Sequence, residues 1–334
     1  ESAMKLIDDA LKIDPNYAEA YYYRGATNNR AGNPDQAVSD YQRAVFVDAS
    51  YTDASFDLAT TQYNQERYAQ SAESYRKTIA IDDTNGEAHA NLAESYRQLE
   101  QFSQANTEYA TASEYIKDDP EMYSSWGYCL GKEGNWEKAS ERLDTAADMR
   151  GDAVDFSNIA WAENHAAEED IKAGREADAA KNLGEARDAS TKATELNPNL
   201  ASAFVNLGTS LNGLKDYDNA SVALQRAVTL HDDWYFAHNE LGRSLRGLGK
   251  LAEAIATFQR VVTINDQFAY GFYNLGEAQY ASGDKKGAEK TMKALRKLNP
   301  DLAGQLDGVL KGKIDAEKRK VEQKIKNKIP KIPF

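Results

Sequence analysis

A spacing constrains this chain more than any other feature. Ala201–Trp234 and Tyr235–Phe268 are consecutive stretches of 34 residues. Laid over each other, they place Leu207-Gly208 on Leu241-Gly242, Leu211 on Leu245, Ala220 on Ala254, Leu224 on Phe258 and Ala227 on Val261. A third copy from Ala269 has Leu275-Gly276, Gly283, Ala288 and Met292 in the same places. Each copy reads as two amphipathic helices joined by a short turn, and coincidental helices would not keep small residues at positions 8 and 20 in phase. A chain built this way grows by contacts between neighbours, so its 334 residues need not divide into globular domains.

Counting back in the same period, Ala3, Ile7 and Ala10 fall on positions 20, 24 and 27, so residues 1–17 read as the second helix of an incomplete repeat. Repeats follow from Ala18, Thr52, Gly86 and Pro120, with Gly25, Ala59, Ala93 and Gly127 at position 8. The expected packing sets each position 8 against the small residue at position 20 of its partner helix, with large residues at 4, 7, 11 and 24 on either side. The fifth copy breaks the period. Asn158-Ile159-Ala160 marks its positions 6 to 8, but its closing Asn197-Pro198 arrives 14 residues late. A turn at Ala173-Gly174-Arg175 gives each helix about seven extra residues, or about 10 Å. An elongated hairpin at about 153–200 results, either a tolerated extension or a docking surface. The array as a whole spans 18–302, and 303–334 reads as a capping helix and a basic tail. Lys311–Phe334 holds nine basic and three acidic residues, a net +6 against −19 for the rest of the chain.

The period, the two-helix unit and the phased small residues resemble the tetratricopeptide repeat family over roughly Ser2 to Leu302. The resemblance implies an all-α fold: a right-handed superhelical solenoid of antiparallel helix pairs, about eight repeats plus an N-terminal half-repeat and a C-terminal helix. It also implies that the first helices line a concave groove for an extended peptide or a helix, with positions 2, 5, 6, 9 and 12 facing inward. Asn91, Asn158, Asn206 and Asn274 recur at position 6, similar to the asparagine ladder of the O-GlcNAc transferase superhelix. An amide carries both donor and acceptor and can read main chain; the competing explanation is that Asn-Leu-Gly is a common string of the family. Tyr22, Phe56, Trp161, Phe236, Tyr270 and Tyr273 also fall on inward positions, and aromatics dominate binding hot spots. One subclass grips a C-terminal carboxylate with Lys or Arg at positions 2 and 6. Position 2 here is Glu19, Asp53, Glu87, Glu121, Val154, Ser202, Phe236 and Tyr270, so that clamp is missing.

Net charge is −13, which argues against nucleic acid as main partner. The expected partners are proteins or peptides, basic segments among them. No run approaches the ~20 apolar residues of a membrane span. No phosphate loop, nucleophile elbow, His-Glu-x-x-His or CxxC is present, so no enzyme activity, cofactor, metal or catalytic residue is expected. His89 and His238 sit at core position 4 and read as packing residues, and the single cysteine, Cys129, reads as a packed thiol. The chain starts mid-repeat without an initiator Met, which suggests a mature, exported form, periplasmic or extracellular. Two functions remain in view. One is a non-catalytic scaffold that binds a peptide or protein segment in its groove. The alternative is a self-assembling structural subunit, a head-to-tail filament or tube. Its joins would use Ile7 and Leu11 at one end, Leu306 and Leu310 at the other, and the tail stripe Ile314, Val321 and Ile325.

Overall fold

A computed structural model describes residues 2–312, and within them every regular element is an α-helix. Contacts divide the chain within its tenth helix, into Glu1–Ala162 and a second unit from Glu163 on.

The first unit holds α1 (Ser2–Ile13), α2 (Ala18–Arg30), α3 (Pro34–Val47), α4 (Thr52–Asn64), α5 (Tyr68–Ile81), α6 (Gly86–Gln98), α7 (Phe102–Tyr115), α8 (Pro120–Lys132) and α9 (Trp136–Met149). The next helix, α10 (Ala153–Lys172), begins in this unit and ends in the second. First helices run 13 residues and second helices 14. Pro34 and Pro120 open their helices, where a missing N–H is no loss. Between the helices of each pair the chain reverses on a left-handed residue at position 15: Gly32, Glu66, Glu100 and Gly134, with φ of 78°, 61°, 57° and 79°. Glycine takes that conformation freely; the two glutamates take it under strain.

The packing differs from the expected small-against-small arrangement. A Cβ built on Gly25 would lie 2.8 Å from the Tyr41 ring, and one on Gly127 would lie 2.6 Å from Leu143 Cγ. Position 8 is therefore filled by the large side chain at position 24, which crosses beneath the first helix. Position 20 contributes its carbonyl, 2.9 Å from the Gly127 site at Ala139 and 3.3 Å from the Gly25 site at Ala37. The reason is geometric: one small residue leaves a hollow about a side chain deep, and a large neighbour fills it where two small ones would leave a void. Position 4 has a second task. Tyr21 Oη donates to Pro15 O, and His89 Nε2 lies 3.2 Å from Asp83 O, so each tethers the loop six residues before it. Cys129 is fully buried, and burial pushes its thiol up to about 12.

In the second unit the end of α10 is followed by α11 (Glu176–Leu196), α12 (Ala201–Gly213), α13 (Tyr217–Leu230), α14 (Tyr235–Gly247), α15 (Leu251–Ile264), α16 (Ala269–Ser282) and α17 (Lys285–Leu298). A last helix, α18, starts at residue 300 and is described to 312. Helices α10 and α11 have 20 and 21 residues, seven more each than the usual pair, and reverse on Gly174 at φ 73°. The glycine rule repeats: Cβ atoms on Gly208 and Gly242 would lie 2.3 Å from Leu224 and 2.5 Å from Phe258. His238 Nε2 reaches Asp232 O at 2.8 Å, as His89 reaches its own loop. No described helix is long and apolar enough to cross a membrane.

Candidate functional site

The sequence-expected binding surface is the face made by the first helices. In the first unit this face is built on tyrosines that rise from beneath. Tyr75 of α5 meets Thr60 Oγ1 on α4 at 2.8 Å, and Tyr109 of α7 donates to Glu94 on α6 at 2.8 Å. Both rings are 1% exposed, so each reaches the face only through its hydroxyl. Tyr63 on α4 also donates to Glu94, at 2.9 Å, and Arg97, on α6 like Glu94 itself, donates from Nε at 2.8 Å. Burial alone would raise the Glu94 carboxyl; the Arg97 guanidinium and the two phenols outweigh it and hold the carboxyl below its usual range. The arrangement ties α4, α6 and α7 at one carboxylate.

Asp57, at position 6 of α4, occupies a different setting. Burial pushes its carboxyl up with help from Asp53, and the nearby phenols of Tyr22 and Tyr41 pull the other way. Tyr22 stands at the centre of an aromatic group, its ring 5.3 Å from Tyr23, 5.1 Å from Tyr51 and 5.9 Å from Tyr41. Tyr23 is 57% exposed. At the other end of the unit, Tyr128 of α8 stacks on Trp161 of α10 at 5.7 Å and 25°, with Phe102 edge-on to Tyr128 at 6.2 Å. Trp136 meets Trp161 edge-on, and Gly131 makes room for that indole, since a Cβ there would lie 2.5 Å from it. Lys132 Nζ caps Phe102 and Tyr128 at 5.7 and 5.9 Å.

On the second unit the first helices carry a polar chain. Asn212 Nδ2 donates to Glu240 O at 3.0 Å, and Ser244 Oγ donates to Asn212 Oδ1 at 2.7 Å. Asn239 donates to Glu240, and Asn274 Nδ2 donates to Asn239 Oδ1 at 2.9 Å. Glu240 is 2% exposed and accepts from Arg243 at 2.7 Å. Attraction to Glu240 raises the guanidinium's already high pKa. A buried carboxylate here is stable because its oxygens and its charge both have partners.

The expected site residues scatter over these settings. Tyr22 and Phe56 lie on the first unit's face, Phe56 edge-on to Tyr75 at 5.5 Å, and Trp161 belongs to the Tyr128 stack. Asn91 and Asn158 are half-buried. Asn274 is 8% exposed, and its amide donates to Asn239, which holds α16 to α14. Asn206 carries its carbonyl to Asn164 Nδ2 at 3.0 Å. Phe236 and Tyr273 pack partly into the cores beneath them, and Tyr270 is 60% exposed. Of the residues expected to join copies end to end, Leu306 and Leu310 are corrected. They are 0% and 6% exposed, packed with Leu295, Leu302 and Ala303 against Phe272, Tyr273 and Met292. A head-to-tail contact through them would strip the chain's own core. Leu11 is 9% exposed and Ile7 half-buried on α1, which packs on α2; Ile314, Val321 and Ile325 lie outside the described residues. Sequence reasoning passed over Tyr23, Tyr51, Asp57 and Tyr128. Asp57 and Tyr23 stand at inward position 6 and Tyr128 at position 9, so the spacing did signal these three, whereas Tyr51 lies in the loop at position 34 and carried no such signal.

Family models for tetratricopeptide repeats match residues 6–39, 30–86, 201–232, 242–283 and 270–301, and a model described as YpiA-like, C-terminal tetratricopeptide repeats matches 87–150. The matches leave out the long hairpin, where the period is lost. The sequence matches no curated protein. Among solved structures, a chain of the APC/C hetero-tetramer Cut9-Hcn1 superposes with a TM-score of 0.57 at 13% identity, over 88% of this chain and 76% of that one. The C-terminal part of a TPR repeat-containing protein from Cytophaga hutchinsonii superposes with a TM-score of 0.53 at 16% identity, over 73% of this chain and 95% of that one. At such identities the likeness is one of fold, a solenoid of helical repeats.

Proposed function

This chain belongs to the tetratricopeptide repeat family, and from that premise we propose that it is a non-catalytic scaffold whose first helices bind a peptide or protein segment. The observation that carries the reading is the Tyr128–Trp161 stack. It places two large rings on the first-helix face, with Tyr128 38% exposed, and fixes them from below by Trp136 and from the side by Phe102. Rigid amphipathic rings lose little entropy on binding and suit a hot spot. The polar groups described on the first helices of each unit (Glu94, Asn212, Glu240) are held by side chains of the fold.

The test is a selection of displayed random peptides on the whole chain, followed by titration calorimetry of the best binder. Tyr128→Ala and Trp161→Ala should each weaken binding by at least about tenfold, as hot-spot truncations do. Val222→Ala, a side chain 71% exposed on second helix α13, should leave it unchanged. Equal effects from both kinds of substitution would remove the reading.

A further inference from the structure

Two carboxylates, Glu94 and Asp57, stand half-buried in the first unit, and among the described residues only one has a cation in an ion pair. Glu94 has Arg97. Asp57 has the phenols of Tyr22 and Tyr41 near it and forms no ion pair among the described residues, and the residues at its i+3 and i+4 are Thr60 and Thr61. Arg30 draws on it from a distance without an ion pair, too little to offset its burial. Tyr22, whose phenol acts on Asp57, packs ring to ring with Tyr23 and Tyr51, and the exposed carboxylates of Glu19 and Asp53 nearby make no ion pair among the described residues. Asp53, Glu19 and Asp57 all act on the Tyr51 phenol, so the three carboxylates share one small region. An acid in the first turn also suits a helix dipole, which accounts for Glu19 and Asp53 but not for Asp57 a turn further in, nor for the rings.

Resting on the groove reading above, we propose that this aromatic face of α2 and α4, with Tyr51 between them, takes a basic segment of a partner protein, one arginine of which lies on the tyrosine rings beside Asp57. Charge complementarity selects the occupant. Aromatic faces attract a cation, and a guanidinium both stacks on tyrosine and donates two parallel N–H groups to a carboxylate. Lysine has the charge without the fork and fits less well. An acidic or phosphorylated segment would meet three carboxylates and only the more distant Arg30, so it fits less well. The rest of the segment would run over Asp53 and Glu19, whose exposure makes their share of the attraction sensitive to salt.

The probe is a short fluorescein-labelled peptide of alternating arginine and alanine, read by anisotropy with the whole chain. Its citrulline counterpart keeps the shape and loses the charge. The arginine peptide should bind at least about tenfold more tightly than the citrulline one, with the advantage reduced at high salt. Tyr23→Ala and the pair Glu19→Gln with Asp53→Asn, all at exposed side chains, should each weaken it about fivefold to tenfold. The pair Glu176→Gln with Glu195→Gln removes the same charge from exposed positions on α11 and should change nothing. Equal loss from both pairs would show diffuse attraction to an acidic protein and overturn the proposal, as would binding indifferent to Tyr23. If selected peptides are neutral or acidic and are lost with Tyr128→Ala, this inference fails and the groove reading stands. If no peptide responds to any first-helix substitution, both fail.

Discussion

Gly242→Ala is the substitution that tests the packing most sharply. In a solvent-facing helix interior, alanine in place of glycine stabilises by up to about 1 kcal/mol, because the glycine chain has more freedom to lose. At Gly242 the new methyl would stand 2.5 Å from Cε1 of Phe258 and 2.8 Å from Cδ1 and Cζ, where ordinary contact needs nearly 4 Å. Phe258 is 0% exposed and cannot swing into solvent. Extra carbon in such a site costs about 1–3 kcal/mol, so the net effect is a loss of about 0–2 kcal/mol. Gly184 supplies the control. It lies inside the 21-residue α11, and nothing stands within 4 Å of its added Cβ, so Gly184→Ala should stabilise by the full helix gain. Urea unfolding followed by helical circular dichroism compares the two, and amide exchange of α14 and α15 reports locally should the array unfold in steps. Pairing Gly242→Ala with Phe258→Ala closes a cycle: with the ring gone the methyl has room, and a coupling of about 1–3 kcal/mol should appear. Equal stabilisation by Gly184→Ala and Gly242→Ala would refute the nesting of position 24 beneath position 8.

Three further outcomes follow from particular side chains. Glu100→Gly relieves a left-handed residue at φ 57° and should raise stability by about 1 kcal/mol in thermal unfolding; an unchanged midpoint would count against strain there. Asn239→Ala leaves the nearly buried amide of Asn274 without its acceptor and should cost about 1–3 kcal/mol by urea unfolding, more than Asn→Ala at exposed Asn16. Burial pushes the phenols of Tyr22, Tyr51, Tyr63 and Tyr75 from 10.0 up to about 12. Their folded pKa values lie above the unfolded ones, so the stability they contribute is complete below pH about 10 and lost as pH rises toward about 12. Phenolate absorbance and helical dichroism should therefore change together in that window, and ionisation of all tyrosines with helix content intact would contradict it.

How much of this was legible in the sequence depends on whether the information is periodic. The 34-residue spacing places the helices, and the late Asn197-Pro198 with the turn at Gly174 locates a hairpin whose helices are each seven residues longer than usual. Periodicity is a property of one chain read along itself, so it survives without contacts. Partner choice across space is not periodic. Small residues at positions 8 and 20 look made for each other, yet the hollow at Gly127 is filled by Leu143 and that at Gly208 by Leu224. Asparagines at position 6 look alike, yet Asn274 is turned to Asn239, which occupies position 5 of the repeat before. The left-handed turn at position 15 is announced by glycine in Gly32, Gly134, Gly249 and Gly283 and hidden where Glu66, Glu100 and Lys215 adopt it. The Tyr22–Tyr51–Asp57 group was invisible for a related reason: it joins positions 5 and 6 of adjacent repeats through a loop residue, and only the folded pair brings them together.

The most direct test of the central claim, that the first helices form the binding face, is a photo-crosslinking map. A benzophenone side chain would be placed singly at Tyr23 and Tyr128 on first helices and at Phe46 and Val222 on second helices, four positions exposed by 57%, 38%, 76% and 71%. With a peptide selected on the whole chain, crosslinks should form from Tyr23 or Tyr128 and fail at Phe46 and Val222. Efficient crosslinking from the second-helix positions, with none from the first, would contradict the account.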